Sequence, residues 1–339
     1  MLIREVLESE KETFNKIVNH PLQSWEWGQF RQKTGVKVIR LASYDNDHMM
    51  KGYQLTIHSL PHLPYTIGYF PRGPLPDQPL IDSLIKIAKE ENLLFIKIEP
   101  NISPHPQTES FLLANGCRKG KPLFPKYSFQ IDLNLEEEEL FSKMKEKTRY
   151  NVRLAQKSGV VVEEDNSPAA FSRYLELTGA TTRRQGFFAH NRYYHELMWQ
   201  TLQPAGIAHL MTATYQNKIL VTWVLFLFNG VLYYPYGASS DENREVMASN
   251  LMMWEAMRWG KTHNARLFDL WGALGPNANP KDPWYGFHHF KEGYGGNLVE
   301  FIGTYDLVIN PPFYSLYNLA DNLRWKLIDL KTNFPIRFS

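Results

Sequence analysis

Four groups of residues have the types and spacing to do chemistry. The first is a cationic series, Lys143, Lys145, Lys147, Arg149, Arg153 and Lys157, among which Glu146 is the one acid. Lys145, Arg149, Arg153 and Lys157 recur every four residues, so on a helix they form one slowly drifting ridge. Such a ridge suits a phosphate backbone, where each neutralised phosphate releases counterions. It suits equally a solvated helix face beside the acidic run Glu136 to Glu139. Tyr150 alone interleaves an aromatic ring, which argues against stacking of unpaired bases.

The second group is Phe268-Asp-Leu-Trp-Gly272, a buried strand entering a loop rich in Gly, Pro and Asn, followed by Phe290-Lys-Glu-Gly-Tyr-Gly-Gly296. Glycine-rich loops at strand ends are where α/β sheets place ligands. Lys291 lies just before Gly295 and Gly296, which would let a substrate approach the backbone. The plainer alternative is a turn with a surface cation. The third is Arg72, held between Pro71 and Gly73-Pro74, a candidate fork for phosphate or carboxylate or simply part of a rigid loop. The fourth is an aromatic set, Trp25, Trp27, Tyr194, Tyr233, Tyr234 and Tyr236, suited to packing or to lining a pocket.

Other chemistries lack their residues. There is no GxxxxGK[ST] loop, no HExxH and no GxSxG elbow. The single cysteine, Cys117, excludes an internal disulfide and a Cys-based zinc site. His288-His289 has no acidic or cysteine partner at metal spacing, so neither metal nor cofactor is expected.

These groups must be positioned by a sizeable core. The 339 residues are 43% hydrophobic with a formal net charge of +2, a globular composition too weakly basic for a general nucleic-acid coat. Charges begin at Arg4, and the longest apolar run, near Ile219 to Phe228, is half a spanning helix and rich in strand formers. A soluble, cytoplasmic monomer is expected. Helices are expected over 10–18, 25–34, 80–91, 110–115, 169–184, 193–202 and 250–263. Strands are expected over 36–43, 52–59, 65–70, 93–99, 126–133, 160–164, 208–215 and 267–271, with a hairpin across Asn229-Gly230. The strand Lys126 to Leu133 is read as closing the first half. Strands with interleaved helices in both halves make the fold α/β, a duplicated unit with mixed sheets. The C-terminal stretch Phe313 to Lys331 carries Leu316, Leu319, Leu323, Leu327 and Leu330 as a helical stripe suited to packing back onto the core. Arg324 and Lys326 around Trp325 leave a membrane-surface contact as the alternative.

Taken in order, the landmarks resemble a known family. They are Gln23-Ser-Trp-Glu-Trp-Gly-Gln-Phe30, Tyr69-Phe-Pro-Arg-Gly-Pro-Leu75, Lys147-Thr-Arg-Tyr-Asn-Val-Arg-Leu-Ala-Gln-Lys-Ser-Gly-Val160, Arg184-Gln-Gly-Phe187, Tyr236-Gly-Ala-Ser239, Phe268-Asp-Leu-Trp-Gly272 and Phe290-Lys-Glu-Gly-Tyr-Gly-Gly296. Along nearly its whole length the chain resembles the Fem peptidoglycan-bridge aminoacyltransferases (FemABX). The resemblance implies two tandem GNAT-like (acetyltransferase-like) domains, 1–147 with 304–339 and 148–303. It implies transfer of an amino acid from aminoacyl-tRNA to the stem-peptide amine of a peptidoglycan precursor, nucleotide-linked or lipid-linked, at the inner face of the membrane.

Residue by residue, it implies that Lys291 takes part in the reaction and that Phe290 lies beside the substrate. Arg31, Lys33, Tyr194 and Tyr236 fall near precursor-binding positions, with Arg72 a further candidate, and Glu99 stands where relatives carry an acid discussed as a base. His190 falls where some relatives place a cation. Longer relatives insert a helical arm in the second half; Thr178 to Thr201 leaves no room for one, which puts tRNA binding onto Lys145, Arg149, Arg153 and Lys157. Three other readings fit the same residues: an acyl-CoA N-acyltransferase, a non-catalytic RNA-binding module, and an aminoacyl-tRNA transferase acting on proteins.

Overall fold

In the computed structural model, residues 2–61, 63–185 and 190–333 are described. The Gly186-Phe187 landmark and the side chains of Arg324, Trp325, Lys326, Leu327 and Leu330 lie outside that description. The strands are β1 (Leu2–Glu5), β2 (Lys37–Asp45), β3 (His48–Ser59), β4 (Thr66–Pro71), β5 (Leu93–Glu99), β6 (Cys117–Lys119), β7 (Tyr127–Asp132), β8 (Val161–Glu164), β9 (Ala208–Tyr215), β10 (Lys218–Phe228), β11 (Val231–Ser239), β12 (Leu267–Asp269), β13 (Asn297–Glu300) and β14 (Tyr305–Val308). The α-helices are α1 (Lys11–Ile17), α2 (Trp25–Lys33), α3 (Gln78–Glu90), α4 (Pro106–Ala114), α5 (Glu137–Lys143), α6 (Glu146–Ser158), α7 (Pro168–Gln185), α8 (Arg192–Leu202), α9 (Ala248–Thr262), α10 (Tyr285–Glu292) and α11 (Pro311–Asn333).

Two mixed seven-stranded sheets result, ordered β1-β2-β3-β4-β5-β14-β6 and β13-β7-β12-β11-β10-β9-β8. The fold is α/β, as expected, with two mixed sheets in tandem. Read from β1 and from β8, the sheets match place by place. Each runs through antiparallel neighbours to one parallel pair, β4–β5 or β11–β12. The sixth place in each is filled by the other half of the chain. Strand β7, expected to close the first half, pairs with β12 and β13 of the second sheet. Strand β14 returns from the far end of the chain to lie between β5 and β6. The local pattern of 126–133 marked a strand correctly but carried no information about its partner.

Local signals hold the elements that matter for the site. Ser24 caps α2 by accepting from the Trp27 amide, and Gly159 ends α6 with φ +83°. Asn229 of the β10–β11 hairpin donates to the Asn15 and Val18 carbonyls, fastening the second half to the first. The halves also share a core. Trp27 and Phe30 from α2 pack with Tyr174, Met198, Leu202 and Phe226. Fully burying each such side chain contributes about 1.5–3 kcal/mol, which makes the junction a structural core and not a loose contact.

Helix α11 departs from expectation. It packs through Tyr314 and Tyr317 against Phe95, while Leu316, Leu319 and Leu323 are 58%, 57% and 54% exposed. Tyr314 also donates to Asp306 at 2.9 Å. The aromatic face, with a polar group to satisfy, took the contact that the leucine stripe was expected to make.

Candidate active site

The site grows from the end of β12. Asp269 is buried, and its carboxylate accepts from Ser128 Oγ at 2.5 Å, Gln130 Nε2 at 2.8 Å and the Trp271 amide at 2.7 Å. The chain then turns through Trp271 at φ +65° and Gly272 at φ +146°. The indole of Trp271 faces the first half, 5.3 Å from the His20 ring and 5.0 Å from Phe124. At Gly272 a Cβ would come within 2.7 Å of Pro125 Cγ, so the turn lies directly against the segment joining the halves.

Lys291, in the last turn of α10, donates from Nζ to the Gly272 carbonyl at 2.8 Å. Its ammonium lies 5.7 Å from the Tyr234 ring, which is stacked on Trp223. Burial pushes the amine down to about 8, and the charge of Asp269 opposes that fall. One N–H is engaged by Gly272, and an ammonium has three to give. Lys291 therefore stands behind the turn that abuts the joining segment, a half-buried cation with donor capacity in reserve.

Across the seam the structure assigns other expected residues to architecture. Arg72, at φ +48°, is 3% exposed and lies between the rings of Phe124 and Phe301 at 4.1 and 4.0 Å. Its Nη2 donates to the Pro125 carbonyl at 2.9 Å. It is a buried tie and not a surface fork; the prolines spoke of rigidity but not of the two rings. Glu99 accepts from Tyr69 Oη, the Leu123 and Phe124 amides and Thr304 Oγ1 at 2.6, 2.8, 3.2 and 2.6 Å. Three of these donors converge on Oε1 and Tyr69 alone takes Oε2, so Glu99 holds the connecting segment and is engaged in the fold. Phe290 packs on Trp223 and Tyr294 at the edge of the second core. The paired glycines admit protein, not substrate: a Cβ on Gly295 would meet the Lys143 carbonyl at 2.6 Å, and one on Gly296 the Gln130 carbonyl at 3.0 Å.

Arg31, Tyr194 and Tyr236 do come together, where α2 meets α8 and β11. The Arg31 guanidinium lies 5.7 Å from the Tyr194 ring, and burial raises the pKa of the Tyr194 and Tyr236 phenols. The His190 ring stacks on Tyr194 at 3.6 Å, and His195 lies behind, pushed down to about 4 by burial. Lys33 donates to Thr201 on α8 at 3.0 Å. The cationic ridge follows α6 as expected, but its members are partly engaged. Lys145 pairs with Glu292 at 2.6 Å, Arg149 caps the Ser142 and Met144 carbonyls, and Arg153 covers Phe141 at 5.1 Å. Arg149 and Arg153 share an open groove of about 570 Å³ with Glu137, Glu138 and Trp254.

Sequence reasoning missed the part played by Ser128, Gln130, His20 and Trp271. Asp269 beside a Trp-Gly pair at a strand end was the available signal. Among the described residues, no cluster of His, Cys, Asp or Glu is gathered as a metal ion needs.

Two α/β units in tandem, with Lys291 bound to the turn of the second that abuts the joining segment, define the fold and the candidate site. The FemAB family model matches residues 8–110, 114–216 and 203–322, and the chain belongs to the FemAB family. The lipid II:glycine glycyltransferase of Staphylococcus saprophyticus is 25% identical, covering 91% of this chain and 92% of its own length. That of Staphylococcus haemolyticus is 24% identical, covering 92% and 94%. The former alignment runs over 392 residues, more than the 339 here, so that relative carries insertions this chain lacks. In agreement, six residues separate the end of α7 at Gln185 from the start of α8 at Arg192. The crystal structure of FemX has the same fold, with a TM-score of 0.84 at 23% identity over 93% of this chain and 99% of that one. L-PGS from Bacillus licheniformis is a more distant likeness, with a TM-score of 0.53 at 12% identity over 88% and 95%.

Proposed function

We propose that this protein transfers an amino acid from aminoacyl-tRNA to the stem-peptide amine of a peptidoglycan precursor. The observation that carries the reading is the Lys291 ammonium, lowered by burial and held at the Gly272 carbonyl on the turn that abuts the joining segment. Membership of the FemAB family, with relatives named lipid II:glycine glycyltransferases, supports it.

The reaction is aminolysis of an activated ester. The neutral amine attacks the aminoacyl carbonyl carbon, a C–N bond forms, and the bond to the ribose oxygen breaks. The amine's proton leaves with that oxygen, which becomes a hydroxyl. Negative charge gathers first on the carbonyl oxygen and then on the ribose oxygen, and the N–H groups of Lys291 are placed to meet it. Alignment of amine and ester contributes on the order of 7–11 kcal/mol in favourable cases, so no protein base is required. Arg31, Tyr194, Tyr236 and Lys33 hold the precursor, and Arg153 and Lys157 meet tRNA phosphates, with Lys145 and Arg149 shared between that task and the fold.

The setting is cytoplasmic and peripheral to the inner face of the membrane. Among the described residues no helix is long and apolar enough to cross a bilayer, and Phe313, Leu316, Leu319 and Leu323 of α11 are exposed. The test is to incubate purified protein with charged tRNAs and with soluble or lipid-linked precursor, and to weigh the product. The precursor gains one aminoacyl residue only when the tRNA is charged. No gain with any charged tRNA, or acyl transfer from acetyl-CoA with release of free thiol, would overturn the reading.

A further inference from the structure

We propose that Asp269 is the positioning residue of the transfer site, shaping the Trp271–Gly272 turn and fixing where the Lys291 ammonium stands. This rests on the role given to Lys291 above. Both carboxylate oxygens are held: Oδ1 by Ser128 Oγ and the Trp271 amide, Oδ2 by Gln130 Nε2. Ser128 and Gln130 belong to β7, which pairs with β12 in register, Asp269 opposite Gln130. The sheet therefore sets the carboxylate, and the carboxylate sets the turn.

The turn needs that hold. Trp271 at φ +65° is a bulky side chain in the left-handed region, a strained conformation that persists only when its surroundings impose it. The Asp269–Trp271 hydrogen bond and the seat of the indole among His20, Phe124, Phe226 and Tyr233 impose it. The next carbonyl, that of Gly272, then receives the Lys291 ammonium. From carboxylate to ammonium the path is one hydrogen bond, two residues of turn, and one more hydrogen bond.

Charge follows the same path. The three recorded donors to Asp269 are neutral groups, so its negative charge is not cancelled by a bonded cation and acts on Lys291 and on Arg72. The other titratable groups facing Lys291 are Tyr234, from β11, and His288, one turn earlier on α10. Burial raises the phenol and lowers the imidazole, so both are neutral where Lys291 titrates. Asp269 is then the charge that favours the protonated form of Lys291.

Asp269→Asn separates shape from charge. The amide oxygen still accepts from Ser128 and the Trp271 amide, and the Gln130 amide can turn to accept from the new NH₂. Two readouts are taken on the full chain. The first is trace labelling of Lys291 with 1-fluoro-2,4-dinitrobenzene across pH, read by peptide mass, which needs no activity. The second is kcat and KM for transfer across pH. The expected result is a Lys291 midpoint lowered by about one pH unit. The high-pH limb of kcat moves the same way, and KM for the precursor changes less than about twofold. Ser128→Ala, which keeps the charge and loosens one donor, leaves the Lys291 midpoint in place and lowers kcat several-fold. A folded Asp269→Asn protein with an unmoved Lys291 midpoint overturns the inference, as does a rise in KM with kcat intact. If Lys291→Met transfers normally, the role given to Lys291 fails, while the labelling experiment still decides whether Asp269 governs Lys291.

Discussion

Glu99 and Asp269 occupy matching places in the two sheets: each ends the fifth strand, at the mouth of its parallel pair, Glu99 opposite Pro71 and Asp269 opposite Tyr233. Each gathers donors and so fixes the chain beyond it, the 123–124 segment for Glu99 and the Trp271–Gly272 turn for Asp269. The duplicated fold has thus used one device twice, and only the second copy stands beside Lys291.

For Glu99 the consequence is structural. Glu99→Gln sets an NH₂ against a donor and leaves a buried group unsatisfied, at a cost of about 1–3 kcal/mol. The urea midpoint should fall accordingly, with transfer per folded molecule largely retained. Lost transfer at an unchanged midpoint would instead mark Glu99 as the base.

Lys291→Met should keep the fold and lose transfer by about 10²–10³, the usual cost of removing one donor to a developing oxyanion. The measurement is product mass against time with saturating charged tRNA. Transfer within tenfold of wild type would remove Lys291 from the reaction.

The same residue makes a signed prediction about stability. Burial holds Lys291 near 8 in the fold, against 10.5 for the free side chain. Between those values the unfolded chain binds more protons, so this group's contribution rises with pH across that window and is smallest below about 8. The stability of wild type minus that of Lys291→Met should therefore climb from about pH 8 to about pH 10.5 in paired urea titrations. A difference that is flat or falling would show that the ammonium is solvated.

For the ridge, Arg153→Glu with Lys157→Glu should weaken tRNA binding and flatten its salt dependence by about one unit of slope per lost phosphate contact. Arg149→Glu should also destabilise the protein, because Arg149 caps the Ser142 and Met144 carbonyls. Fluorescence anisotropy with labelled tRNA at several salt concentrations decides. Affinity indifferent to the double reversal would leave the ridge a solvated face.

Leu316→Asp with Leu319→Asp should abolish co-sedimentation with anionic vesicles while leaving transfer to a water-soluble precursor intact. Sedimentation of the variant equal to wild type would detach α11 from the membrane.

Much of this was legible in short-range pattern. Asn229-Gly230 marked its hairpin, the four-residue spacing of cations marked α6, and the order of landmarks led to the family. What was not legible depends on partners distant in sequence. Nothing near Arg72 reveals that Phe124 and Phe301 enclose it. Nothing near Gly295 reveals the Lys143 carbonyl that excludes a side chain there. Periodicity identified the leucine stripe of α11, but a stripe does not say which face docks, and Tyr314 with its buried partner Asp306 decided that. Lys291 was legible as a residue; the turn that holds it was not.

The reciprocal exchange of β7 and β14 carries a consequence for biosynthesis. Until residues 305–308 leave the ribosome, β5 and β6 have no strand between them, and the N-terminal sheet presents two unsatisfied edges. Almost the whole polypeptide must therefore emerge before either half is complete. A nascent chain halted before β14 is a natural client for chaperones, and a fragment that ends before residue 305 leaves the N-terminal sheet incomplete.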